Sequence, residues 1–210
     1  MMIKVCGMRD EKNIRDVEAL GVDWMGFIFL PKSSRYVNQK PSYLPVKTQR
    51  VGVFVNEDIE KVIQTAKEFS LDIIQLHGNE SPAYIKQLKG YRIIKAFNIA
   101  TPDDLAQTAA YERQHDEQAS GMGGVDYFLF DTKGKAVGGN GEKFNWEVLS
   151  AYRGSTPFLL SGGIGPDDVT RIRDFHHEKC VGIDLNSCFE SSPGYKDIIK
   201  LKTFIQSIRQ

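Results

Sequence analysis

The sequence predicts a (β/α)8 barrel of parallel strands, and three observations carry that reading. Eight short apolar runs recur along 210 residues, each followed by an amphipathic or helix-forming stretch. The runs are continuously apolar rather than strictly alternating, which suits a parallel sheet covered on both faces. Eight such units in this length match a barrel near the short end of its size range. A doubly wound open sheet is the competing arrangement for the same pattern. No long linker or low-complexity tract interrupts the chain, so residues 1–210 are expected to form a single barrel domain.

The units follow in order. Ile3–Cys6 reads as the first strand; Asp10 can cap a helix carrying Ile14, Val17 and Leu20, which stops at Gly21. Trp24–Leu30 is the second run, followed by a polar segment with a short helix expected near Tyr43–Val46. Val51–Val55 is the third. Its helix carries Ile59, Val62, Ile63, Ala66 and Phe69 on one face. Asp72–Leu76 is the fourth, with a helix beginning at Ser81-Pro82, where proline suits the first turn. Arg92–Phe97 is the fifth, with a helix from Thr101-Pro102 to about Gln114. The polar stretch Gln114–Gly124 reads as a loop entering the sixth run, Val125–Phe130, which ends at Asp131. A glycine-rich loop and a helix over Asn145–Tyr152 follow. Pro157–Leu160 is the seventh, leading to Ser161-Gly162-Gly163 and a helix from Pro166. Val181–Leu185 is the eighth, and the last helix is expected from about Gly194 to Ile208.

Composition narrows the function classes. The 27 basic and 27 acidic side chains cancel, which argues against a nucleic-acid-coating protein but leaves room for a local anion site. No apolar run reaches a membrane span. The N-terminal residues lack a signal-peptide core. Three widely spaced cysteines, Cys6, Cys180 and Cys188, suggest neither a disulfide framework nor a zinc site. The expectation is a cytoplasmic protein with no nucleic-acid or membrane partner, in a monomeric or homodimeric state that the sequence does not resolve.

In such a barrel the active site lies at the C-terminal ends of the strands. Cys6, Asn56, His77, Asp131, Ser161, Asp184, Asn186 and Ser187 all fall there. The run Ser161-Gly162-Gly163-Ile164-Gly165-Pro166 lets backbone amides approach an anion, with a helix start behind them. Its other reading is an ordinary strand–helix turn. Its place after the seventh strand, beside the Asn186–Glu190 loop, favours a phosphorylated small-molecule ligand. Cys6 reads either as a small buried hydrophobe or as a base whose thiol is activated by Arg9 or nearby amides. Asp131 reads as a turn cap or as a general acid. Arg35 can pair with a carboxylate. His77 is a structural or a ligand-binding histidine, and the Lys133–Lys143 loop a flap or a surface loop without a role.

Taken together, Lys4-Val5-Cys6-Gly7, Gly52–Asn56, Gln75-Leu76-His77-Gly78, Phe130-Asp131, Gly138-Gly139-Asn140-Gly141, Phe144-Asn145-Trp146, Leu160–Ile164, Gly182-Ile183-Asp184 and Ser192–Asp197 resemble the phosphoribosylanthranilate isomerases, in order and over essentially the whole chain. The resemblance implies an Amadori rearrangement in tryptophan biosynthesis, by general acid–base catalysis without metal or redox cofactor. It implies Asp131 as the acid, Cys6 as the base and Arg35 as the holder of the anthranilate carboxylate. Gly162, Gly163, Asn186 and Ser187 would hold the phosphate, with His77 and Asp184 also lining the substrate site. Two departures stand out. Cys188 sits where the family usually has Gly, a residue that resists positive φ where glycine does not. The polar insertion before the sixth strand is longer than usual. Two other readings stay open. One is a different barrel enzyme on a phosphorylated sugar, although such enzymes often place a Lys or Glu at the strand ends. The other is a non-catalytic phospho-ligand binder.

Overall fold

Two buried clusters show which way each strand faces. The smaller takes Trp24, Val51, Ile73, Ile94, Ala96, Leu129 and Leu159; the larger joins alternate strand residues such as Ile3, Val5, Phe54, Phe128 and Ile183 to helix residues such as Val17, Val62 and Phe204. Side chains on a strand point to opposite faces in turn. The first cluster is therefore the barrel lumen and the second the layer between sheet and helices. A computed structural model describes residues 1–112, 124–131 and 146–210. Its strands are β1 (Met2–Cys6), β2 (Trp24–Ile28), β3 (Gln49–Phe54), β4 (Ile73–Leu76), β5 (Arg92–Asn98), β6 (Tyr127–Asp131), β7 (Phe158–Ser161) and β8 (Cys180–Leu185). They pair in parallel in chain order, and β8 closes the barrel on β1. The open-sheet alternative is excluded by that closure.

The lumen is a packed core. Trp24 and Tyr127, from strands on opposite sides, meet edge to face at 5.1 Å and fill its N-terminal end. Above them Lys4 is wholly buried and pairs with Asp184 at 2.8 Å, across the β1–β8 seam. Cys6 is the next inward residue of β1, so the lumen changes from apolar to polar as it approaches the C-terminal rim.

The helices fall where the periodicity places them, with some corrections. α1 (Glu11–Glu18) is capped by Asp10, whose side chain accepts from the Asn13 amide. α2 (Ile59–Phe69) is capped by Asp58 and ends at Ser70. α3 (Pro82–Ile85) is a single turn capped by Ser81. The expected helix after β5 is a 3-10 stretch, Pro102–Tyr111, and the segment after β6 contributes a 3-10 turn, Trp146–Ala151. After β7 comes one 3-10 turn, Pro166–Asp168, and then α4 (Val169–Asp174). The short helix expected near Tyr43–Val46 does not form; Val46, Lys47 and Thr48 instead donate their amides to the Glu18 carboxylate. The last helix, α5 (Ile198–Arg209), starts later than expected. Gly194, at φ +83°, makes the turn of a small antiparallel pair, β9 (Glu190–Ser192) and β10 (Tyr195–Lys196). Residues 114–123 and 138–141, and the Phe144–Asn145 pair, lie outside the described residues. Among the described residues no helix is long and apolar enough to cross a membrane.

A buried charge network shapes the rim between β3 and β5. Glu80 accepts from the Asn56 amide at 2.8 Å and from the Gly78 amide at 3.0 Å, and pairs with Lys95 at 3.2 Å. Lys95 also donates to the Gly78 carbonyl at 2.6 Å. Asn56 adopts φ +49°, and a Cβ on Gly78 would stand 2.3 Å from its side-chain oxygen. Asn56, a rim group in the sequence, is thus absorbed in holding the loop that carries His77. Glu80→Ala leaves the Lys95 ammonium buried without its counter-charge, and the expected cost is about 3–5 kcal/mol. Chemical denaturation of the variant checks this; an unchanged midpoint and slope would show that the network is dispensable.

Candidate active site

Each strand delivers its last inward side chain to the same end of the lumen, and there a cavity of about 210 Å³ opens. Cys6 lines it from β1, His77 from the end of β4, Asp131 from β6 and Asp184 from β8. Gly162, Gly163, Asn186 and Ser187 complete its wall from the two loops after β7 and β8. The structure therefore brings together eight of the nine residues singled out from the sequence. Gln75, Ile28 and Val53 make up part of the floor.

The ninth, Arg35, stands beside the cavity. Its Nε lies 2.9 Å and 3.0 Å from the two Glu190 carboxylate oxygens, and its Nη2 2.6 Å from Oε2. This is a bidentate, charge-assisted pair. Arg35 Nη1 makes no hydrogen bond among the described residues.

Cys6 is almost fully enclosed. Gly26, its partner on β2, leaves room for the thiol: a Cβ there would lie 2.6 Å from Sγ and 3.1 Å from the Cys6 Cα. Burial pushes the Cys6 thiol above its ordinary value; Lys4 works against this, Asp184 with it, and Lys196 against it. Arg9 was the cation expected to activate this thiol. It points elsewhere, donating to the Ser34 and Pro193 carbonyls. Lys4 and Lys196 take that place. Lys196 is buried on β10, bonds Asn186 Oδ1 at 2.9 Å and pairs with Glu190 at 2.7 Å. Lys4 was legible in principle, because it shares the inward parity of Cys6 on one strand. Lys196 was not, since only the β9–β10 turn brings it back to β1. Gly26→Ala is expected to displace the thiol and lower kcat about 10²-fold; steady-state kinetics on the folded variant checks it, and wild-type turnover would show that Sγ position is not critical.

The two loops expected to hold an anion are built on backbone. Gly162 and Gly163 adopt φ +94° and +67°, a region that favours glycine. No hydrogen bond is made by the Gly163 or Ser187 amide among the described residues. The Gly165 amide is already given to Asp168 at 2.8 Å. With only one 3-10 turn at Pro166–Asp168, these amides rather than a long helix dipole are the donors available to an anion. Cys188 stays out of the left-handed region, so its substitution for glycine carries no backbone strain. Its thiol lies 3.7 Å from the Gly163 carbonyl and ties one loop to the other.

The family model for N-(5'-phosphoribosyl)anthranilate (PRA) isomerase matches residues 3–207. The chain belongs to the phosphoribosylanthranilate isomerase family. It is 50% identical over 212 residues to the N-(5'-phosphoribosyl)anthranilate isomerase of Phocaeicola vulgatus, covering 100% of this chain and 98% of that relative. The crystal structure of the Thermotoga maritima phosphoribosylanthranilate isomerase superposes with a TM-score of 0.80 at 29% identity, covering 100% of this chain and 98% of that one. Another isomerase structure, in complex with reduced 1-(o-carboxyphenylamino)-1-deoxyribulose 5-phosphate, gives 0.78 at 27% identity, with 100% and 98% covered. As a phosphoribosylanthranilate isomerase, the protein catalyses an aldose–ketose isomerisation of tryptophan biosynthesis, converting N-(5-phosphoribosyl)anthranilate to 1-(2-carboxyphenylamino)-1-deoxyribulose 5-phosphate.

Proposed function

We propose that Asp131 and Cys6 are the acid and base of this isomerisation. The observation that supports it is their convergence on one cavity from β6 and β1. Asp131 gives a proton to the furanose ring oxygen as the C1′–O bond breaks, and the amine lone pair forms the Schiff base. The Cys6 thiolate then takes the C2′ proton, and that electron pair forms the C1′–C2′ double bond of the enolamine. The thiol returns its proton to C1′ while the C2′ hydroxyl proton passes back to Asp131. The ketone is left, and both side chains end as they began. A raised thiol pKa makes the thiolate the minor form near neutrality but the stronger base once formed.

The Gly162, Gly163 and Ser187 amides, with Asn186, hold the phosphate. The cavity is small against the ~300–1,000 Å³ of most ligand pockets. The sugar phosphate fills its depth, and the aryl ring lies at the mouth. There Arg35 Nη1 meets the anthranilate carboxylate while Glu190 keeps the guanidinium in place. His77 and Asp184 border the sugar. The enzyme acts as one catalytic domain in the cytoplasm, as monomer or homodimer and without nucleic-acid or membrane partner. Among its relatives, the Thermotoga maritima enzyme is described as a dimer from which monomers were generated.

Incubating purified protein with N-(5-phosphoribosyl)anthranilate tests the acid–base pair when Cys6→Ala and Asp131→Asn are run beside the wild type. Turnover by the wild type and its collapse in both variants is the expected result. Retained turnover in either variant overturns that residue's assignment.

A further inference from the structure

Gln75 is buried inside the barrel on β4, two residues before His77. Its amide nitrogen Nε2 lies 3.3 Å from His77 Nδ1, and His77 Nε2 lies 3.5 Å from Asp131 Oδ2. The three side chains form a line from the lumen to the acid. A neutral imidazole carries one proton and one lone pair. Asp131 Oδ2 accepts whether the carboxyl is ionised or carries its proton on Oδ1, so the ring proton belongs on Nε2 and the lone pair on Nδ1. That lone pair needs a donor, and the Gln75 NH2 supplies it.

This orientation has a cost. Gln75 Oε1 is buried with no hydrogen-bond partner among the described residues. Turning the amide over would pair Oε1 with an Nδ1–H, but it would also set the Nε2 lone pair against the carboxylate. Buried orphan acceptors are rare, and one in a catalytic cavity calls for a reason.

We propose that Gln75 is a positioning residue: it fixes His77 as the Nε2–H tautomer, which donates to Asp131 Oδ2 and leaves the carboxyl proton on Oδ1, toward the sugar. The proposal rests on Asp131 as the acid. Once the proton leaves, the carboxylate is already met by a donor, so its departure is favoured. Without Gln75 the ring can take the Nδ1–H form, whose bare Nε2 accepts the Asp131 proton and draws it away from the substrate. At 3.5 Å the His77–Asp131 contact is at the long end, of the kind that tightens as a catalytic complex forms.

Nitrogen-15 NMR of the imidazole rings, with His77 assigned by its loss in His77→Asn, reads the tautomer directly. The wild type is expected as Nε2–H. Gln75→Met should shift the ring toward Nδ1–H and lower kcat roughly tenfold, the worth of one hydrogen bond, with KM nearly unchanged. Gln75→Glu, whose carboxylate demands Nδ1–H, should lower kcat further. A wild-type ring found as Nδ1–H or as imidazolium overturns the proposal, as does a Gln75→Met variant with unchanged kcat. Full turnover by Asp131→Asn would remove the acid assignment and the proposal with it. A wrong tautomer beside an inactive Asp131→Asn overturns the role of Gln75 alone.

Discussion

Asp131→Asn is expected to lower kcat by ~10²–10⁴-fold, the usual worth of a positioned proton donor. The amide keeps the shape of the carboxyl and its place at the end of β6, where Asp131 is paired in register with Asn98 and Ser161. What it loses is the proton. Ring opening needs that proton at the moment the C1′–O bond breaks, so the loss falls on the transition state and leaves ground-state binding in place. KM is therefore expected to change little. Steady-state kinetics on the purified variant checks both parameters. A large rise in KM with kcat preserved would show that Asp131 binds the sugar rather than protonating it.

Cys6→Ala is expected to lose a similar ~10²–10⁴-fold in kcat, but at the following step. Its cavity wall keeps Asp131, so the ring still opens and recloses. The variant should interconvert the two anomers of the substrate without forming product, whereas Asp131→Asn should do neither. NMR of the sugar resonances separates the two cases. Absence of anomer exchange in Cys6→Ala would mean that the thiol also takes part in ring opening. The surroundings of Cys6 allow a second check. Burial raises its thiol, and Lys4 and Lys196 hold that rise in bounds. Titrating the thiolate absorbance of wild type minus Cys6→Ala should give a midpoint above that of a free cysteine, and Lys196→Met should raise it further. Cys180, whose thiol is pushed up to about 11 by burial, cancels in the difference.

Much of this site could be read from the chain because a parallel barrel puts its chemistry at one place in every unit. Once Phe130-Asp131 or Val5-Cys6 is recognised as a strand end, the residue is already at the rim. The glycines 162 and 163 were read as letting backbone amides come close to a ligand, and both adopt a positive φ that favours glycine. What stayed hidden depends on side chains that break the pattern of their element. Lys4 stood out only as part of a motif, and its parity with Cys6 went unused, yet it is the buried partner of Asp184. Gln75 was visible only as part of a motif. Its amide matters through a ring two residues away, and local periodicity does not describe that. Glu190 and Lys196 lie on a hairpin too short to show as strands, so the sequence read that segment as loop and helix start. Arg35 was read as able to pair with a carboxylate, but its bidentate hold on Glu190 joins residues 155 apart, and one-dimensional spacing carries no trace of it.

The seam between β1 and β8 has a consequence for how the enzyme comes into being. Lys4 and Asp184 are separated by 180 positions, and Asn13 is bonded to the backbone of Lys196 across 183. Contacts of such sequence separation form slowly, because the loop they close costs much entropy before it is rewarded. During synthesis the thiol of Cys6 is made long before the ammonium of Lys196 that moderates it. Until the chain has passed Lys196, the sulfur lacks that ammonium and the enclosure that β8 gives β1. β8 and the short hairpin therefore act together as the step that completes the surroundings of Cys6.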